Sequence, residues 1–209
     1  MDLLVLTRSY MPLLTVFVFI VGVLLKVGKA IGLGSCGGRI SGRAFETATI
    51  GWFKDLWIKE NLRDFLLSFI FHLSAVIVIL FAPAHSELWS WLTGLNWPSI
   101  ACRTHTAWTV FSADSLSIVL LASGGVKLFK RLGKYLKSQI VEITDFLEIL
   151  IFYLAVLTGF LAAHGVGDYS TMLALHYLFV QIVIMYSPFT KYFHPFYALV
   201  SRVAFELER

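Results

Sequence analysis

Five stretches of this chain, each close to the length of a membrane crossing, are too apolar for water to be their solvent. In hydrocarbon the backbone must satisfy its own N–H and C=O groups, so each stretch is expected to be a helix. They run over Ser9–Leu25, Phe65–Ala84, Thr106–Phe129, Ile143–Ala163 and Tyr169–Ser187. The 209 residues hold about five such spans and their connections,. A mean hydropathy of +0.78 and a hydrophobic content of 58% set the chain apart from water-soluble domains,. The expected fold is an all-α integral membrane protein, a five-helix bundle forming one domain over residues 1–209 without internal repeats. Only Arg8 precedes the first apolar core and no small-residue cleavage site follows Leu25, which reads as a retained span rather than a signal peptide,.

Charge placement orients the bundle. Lys26, Lys29, Arg39, Arg43, Lys54, Lys59 and Arg63 follow the first span. Lys127, Lys130, Arg131, Lys134 and Lys137 lie between the third and fourth, and Lys191, Arg202 and Arg209 lie in the tail. Only Arg8 and Arg103 fall on the opposite side. The positive-inside rule then places the N-terminus outside and the C-terminus in the cytoplasm, with the cell membrane as the expected location. The same basic loops suit anionic lipid headgroups or a cytoplasmic partner. Charge spread over membrane flanks, with no basic face, argues against nucleic-acid binding.

The connections carry weaker signals. Gly32-Leu33-Gly34-Ser35-Cys36-Gly37 matches GxGxxG, but it trails a membrane helix and lacks the strand that a dinucleotide fold requires, so a turn is expected,. Ala44–Asn61 and Thr190–Arg209 mix aromatic and basic residues, as interfacial helices or docking surfaces do,. Trp89, Trp91, Trp97 and Trp108 read as an outer aromatic belt,. Cys36 and Cys102 fall on opposite sides and lack CxxC spacing, which excludes an iron–sulfur cluster of that kind in this chain,.

Histidines within apolar spans carry the chemistry. An imidazole in hydrocarbon is costly unless something binds it. His72 stands about 12 Å above the cytoplasmic edge, counted from Asp64, and His176 about 18 Å above it, counted from Pro188,. Two imidazoles at similar depth on different helices are what axial ligation of one haem iron needs. The bland alternative is that each bonds a neighbouring helix as a satisfied core histidine. His85 and His164, at about 31 and 28 Å, are a candidate second pair at the outer edge,. Helical phase would turn His85 away from the face of His72, but Pro83 is expected to break the helix between them,. Asp114 is a further ionisable group in the third span, suited to a serine bond or a proton route,. Arg103 and His105 stand just before that span, and His105 reads as an alternative ligand, as a contact for an anionic or quinone head group, or equally as a solvated loop residue; His194, on the cytoplasmic rim, is not expected to be a ligand. Glu142 and Asp145 are expected to pair with Lys134 and Lys137, whereas Glu148 lies deeper.

In its layout of spans, histidines on the second and fifth, and basic third loop, the chain resembles the cytochrome b (gamma) subunits of respiratory nitrate reductases. The related heterodisulfide-reductase type of membrane cytochrome b subunit is similar too. The ending Ser187-Pro188-Phe189-Thr190-Lys191-Tyr192-Phe193-His194 and Gly124-Gly125 carry the local likeness. The resemblance implies two haems b, one at minimum, with His72 and His176 on the inner and His85 and His164 on the outer. It further implies oxidation of menaquinol or ubiquinol near Arg103, His105 and Asp114. Electrons would then pass to an iron–sulfur subunit and a catalytic subunit, since this chain alone would not act on a soluble substrate. A mono-haem cytochrome b of hydrogenase or formate dehydrogenase type, and a non-redox carrier or assembly protein, are the alternatives.

Overall fold

The computed structural model describes residues 2–34, 62–97, 112–137 and 143–190, and all of their regular structure is helical. Helix α1 (Leu3–Val5) passes through a π turn (Leu6–Tyr10) into α2 (Met11–Gly34). There follow α3 (Leu62–Phe81), α4 (Pro83–Thr93), α5 (Ala113–Leu136), α6 (Ile143–Ala163) and α7 (Tyr169–Tyr186), closed by a 3-10 turn (Ser187–Phe189). Among the described residues, four segments are long and apolar enough to cross a membrane: Leu3–Lys29, Leu62–Phe81, Phe146–Ala163 and Tyr169–Phe189. Their large apolar side chains face outward, as Leu13, Phe17, Leu24, Leu73 and Val76 show. That is the surface a lipid-facing helix presents, and the chain reads as a multi-pass membrane protein.

Two boundaries differ from the sequence expectation for physical reasons. The third expected span, Thr106–Phe129, begins outside the described residues, and its helix runs on to Leu136 through Lys130, Arg131 and Lys134. Hydropathy marks where an apolar run ends, whereas Lys, Arg and Leu carry helix onward past that point. Ser112 starts α5 by accepting the Ser115 N–H on its side chain,. The second expected span stops at Phe81 and not Ala84, because Pro83 has no N–H to continue the ladder,.

The chain divides into two compact units: residues 1–61 with 177–209, and residues 62–176. In the first, Pro12 shapes the helix. Met11 N–H bonds Leu6 O, five residues back, and Pro12 has no N–H to offer, so neither supplies a donor to the Thr7 carbonyl,. Gln181 Nε2 supplies it instead, donating to Thr7 O at 2.6 Å. Three to four turns further on, Gly22 lets α2 approach the 3-10 turn closely. A Cβ there would lie 2.7 Å from Pro188 Cβ and 2.9 Å from Phe189 Cζ. Contacts Thr7–Gln181 and Gly22–Pro188 advance together along both helices, so α2 and the end of α7 run parallel.

The second unit is an antiparallel packing built on small residues. Gly124 of α5 faces Phe71 of α3 and Tyr153 of α6, at hypothetical Cβ distances of 3.2 and 3.3 Å. Phe71 also meets Phe152 edge-on, with ring centres 5.5 Å apart. Ser74, Ala75, Leu120, Ser123, Ala155, Thr158, Ala162 and Ala174 are buried. In lipid, close backbone approach of this kind substitutes for a hydrophobic driving force between helices. Lys127 Nζ donates to Ser68 Oγ at 2.9 Å and sits 4.7 Å over the Phe71 ring, while Lys130 pairs with Asp64. Contacts 124–71, 127–68 and 130–64 fix α3 and α5 as antiparallel, with their charged ends together.

Candidate haem and quinone sites

Pro83 makes the first site. The chain bends at Ala82, α4 restarts with Pro83 in its first turn, and the broken ladder leaves carbonyls of α3 without their helical donors,. Trp89 Nε1 donates to Ile79 O at 2.9 Å and Trp97 Nε1 to Leu80 O at 2.8 Å. His85 Nδ1 donates at 3.0 Å to Val78 O, a carbonyl that also keeps its helical donor, the Ala82 N–H. Two of the tryptophans expected to form an outer belt therefore cap a helix break. Trp91 is 81% exposed, and Trp108 lies outside the described residues.

The bend brings His85 against His176. Their ring centres are 6.1 Å apart and their planes 18° from parallel. His176, on α7, donates from Nδ1 to the Ala155 carbonyl of α6 at 2.8 Å. Gly159, one turn along α6, gives the ring its place: a Cβ there would lie 2.7 Å from His176 Nδ1 and 2.8 Å from Cε1. A carbonyl can only accept, so Nδ1 carries a proton in both rings, which in a neutral imidazole leaves the lone pair on Nε2,. Orientation of a histidine by a backbone carbonyl is the usual support of a metal-binding imidazole.

The second site joins α5 and α6. His164 Nδ1 donates to Phe160 O at 2.8 Å, and its Nε2 stands 3.6 Å from Asp114 Oδ1. Both side chains are about one third exposed. Phe160 lies against the His164 ring, centre to centre 4.1 Å.

These pairings differ from those expected. His176 meets His85 and not His72, and His164 meets Asp114 and not His85. His72 donates from Nδ1 to Ser68 O at 2.7 Å and occupies an exposed position beside the α3 stripe of Asp64, Ser68 and Phe71 that packs on α5. Arg103, His105, His194, both cysteines, Glu142, Ala44–Asn61 and the tail beyond Thr190 lie outside the described residues. Glu148 is buried, 8% exposed. Among the described residues no three or more His, Cys, Asp or Glu gather where they could hold a metal ion.

Gln181 was not legible as special in the sequence. It is 7% exposed, and its Oε1 has no hydrogen-bond partner among the described residues. The signal that marks it is Pro12 on another helix, which releases the carbonyl that Gln181 meets.

No family model matches the chain, and no solved structure matches it. It is similar to a protein of Nitratidesulfovibrio vulgaris (strain Hildenborough), described only as a protein, at 27% identity over 134 residues. The match covers 64% of this chain and 56% of that relative's length.

Proposed function

We propose that the chain is a membrane haem b protein, the anchoring subunit of a respiratory oxidoreductase, passing electrons between a membrane quinone and an iron–sulfur partner. The observation that carries this reading is the juxtaposition of His85 and His176. A site with two protein ligands is too poor for a bare metal ion, which takes four or more. His85 and His176 would hold a haem, a group that takes histidine as its protein ligand,. The haem would supply one-electron chemistry. The chain would hold it, with Ala155 and Val78 carbonyls fixing the tautomers and Gly159 admitting the inner ring,.

One such pair favours a single haem over the two that the family resemblance implies. Nitrate-reductase-like and formate-dehydrogenase-like partners both remain consistent with it.

The proposed topology has five crossings, N-terminus outside and C-terminus cytoplasmic. Parallel α2 and α7 require an odd number of crossings between them. The apolar helices α3 and α6 give two, so α5 is the third. The basic residues Lys127, Lys130, Arg131, Lys134 and Lys137 support a cytoplasmic placement of that end of α5,.

The test is haem content of the purified protein and its variants. Wild type and His72→Ala are expected to hold haem b; His85→Ala and His176→Ala are expected to lose it. Loss in His72→Ala with retention in His85→Ala would restore the pairing implied by the resemblance and sink this one.

A further inference from the structure

The backbone ladder does not fix the angle between α3 and α4. Ala82 N–H reaches back to Val78 O and Ser86 N–H meets Ala82 O, so both bonds turn about Ala82. Among the described residues no backbone bond joins the one helix to the other. Pro83 has no N–H for Ile79 O, and the extended Ala82 (φ −60°, ψ 142°) carries Ala84 N–H away from Leu80 O,. Two indoles take these two carbonyls, Trp89 Nε1 that of Ile79 at 2.9 Å and Trp97 Nε1 that of Leu80 at 2.8 Å. His85 adds little to the hold, because the Val78 carbonyl it bonds already has a helical donor.

Trp97 reaches Leu80 because the chain turns back. A straight helix would carry it about 25 Å further along the axis. Gly94 ends α4 at φ 68°, in the left-handed region that suits glycine,. Trp97 N–H then donates to Ser90 Oγ at 2.9 Å, and its ring lies against Phe81 with centres 6.4 Å apart. Its backbone thus bonds α4 while its indole bonds α3. His85 stands in the first turn of α4, inside this closed loop. The two histidines are therefore held in different ways. His176 is seated by α6, through the Ala155 carbonyl and the space at Gly159, whereas His85 faces it only while α4 keeps its angle.

We propose that Trp89 and Trp97 are positioning residues for the site: their indole N–H groups fill the two carbonyls that the break at Pro83 empties, and so hold His85 against His176. This rests on the haem reading above and deepens it, by naming what keeps one of the two ligands in place. Losing either donor leaves a carbonyl without its partner and frees α4 to turn about Ala82,. Pro83→Ala reaches the same end by the opposite route. It supplies the N–H that Ile79 O lacks, competes with Trp89 and favours a continuous helix, which turns His85 out of phase with His176,.

The experiment uses the purified full chain as wild type, Trp89→Phe, Trp97→Phe and Pro83→Ala. A further form carries benzothienylalanine at position 97, which keeps the shape of the indole without its N–H. Diethyl pyrocarbonate is applied, and mass spectrometry gives the ratio of the His85 to the His176 modification rate, a readout that needs no haem. Low-spin ferric haem per chain is read on the same samples by electron paramagnetic resonance. Every altered form is expected to raise the ratio about tenfold, the equivalent of one lost hydrogen bond, and to hold less low-spin haem. Pro83→Ala removes no donor, so it reads the same angle even where an indole variant folds poorly. A ratio equal to wild type in Pro83→Ala and in the benzothienyl form would overturn the proposal. So would a rise in Trp97→Phe that the benzothienyl form does not share, since the ring's packing and not its N–H would then hold α4. A raised ratio with undiminished low-spin haem would overturn it as well. If wild type contains no haem, the haem reading falls separately; a ratio that follows the indole N–H would still uphold the hold on His85.

Discussion

At the scale of single residues, Gly159 and Pro83 decide more than the charged groups do. Gly159 is where a ring and a backbone share space, so Gly159→Ala puts a methyl group within 2.7 Å of His176 Nδ1. The ring must move off the Ala155 carbonyl or the helices must part, at a cost of about 1–3 kcal/mol. Gly159→Ala is expected to purify with less haem than wild type though every histidine remains, measured by the pyridine haemochrome method. Full haem content would mean the His176 ring is not held where the structure puts it. The histidines themselves were legible from the sequence as costly residues in hydrocarbon. Their partners were not, because depth counted along ideal straight helices ignores the bend at Ala82. That bend moves His85 out of the phase a continuous helix would give it and against His176.

At the scale of elements, helix ends carry the account. The expected helices exist, and their ends depart from expectation where prolines and caps intervene. Asp168 starts α7: its carboxylate accepts from the Thr171 backbone N–H at 2.8 Å and from the hydroxyls of Thr171 and Ser170. These bonds, the Thr171 side chain's first, hold its carboxyl below the ordinary carboxylate range. A lowered folded value means the cap contributes fully above the unfolded value of about 3.9 and loses that contribution as pH falls through the lowered one. Asp168→Asn is expected to narrow the difference in melting temperature between about pH 5 and pH 3, followed by helical circular dichroism in detergent. An unchanged difference would remove Asp168 from the acid response. Gln181→Leu leaves the Thr7 carbonyl without its donor inside the bundle, and is expected to cost about 1–2 kcal/mol, read from denaturation in mixed micelles.

At the scale of the whole molecule, hydropathy separated lipid-facing helices from the rest but could not decide α5. Its apolar first half and basic second half carry opposite messages, and the charges meet partners on α3 that no window along the chain can see. In the proposed five-crossing topology α5 is one of the spans. With five crossings, Asp2→Cys and Thr190→Cys stand on opposite faces of the membrane. An impermeant maleimide applied to oriented vesicles is expected to label one and spare the other. Labelling of both from one side would reduce the count to an even number and return α5 to the surface.

The claim under all of this is that one iron is held between His85 and His176. Electron paramagnetic resonance of the oxidised protein tests it most directly. A low-spin ferric signal with two nitrogen axial ligands is expected, at one haem per chain, converted to high spin or lost in His176→Ala. Folded wild-type protein without that signal, or a His176→Ala variant that keeps it unchanged, would contradict the claim.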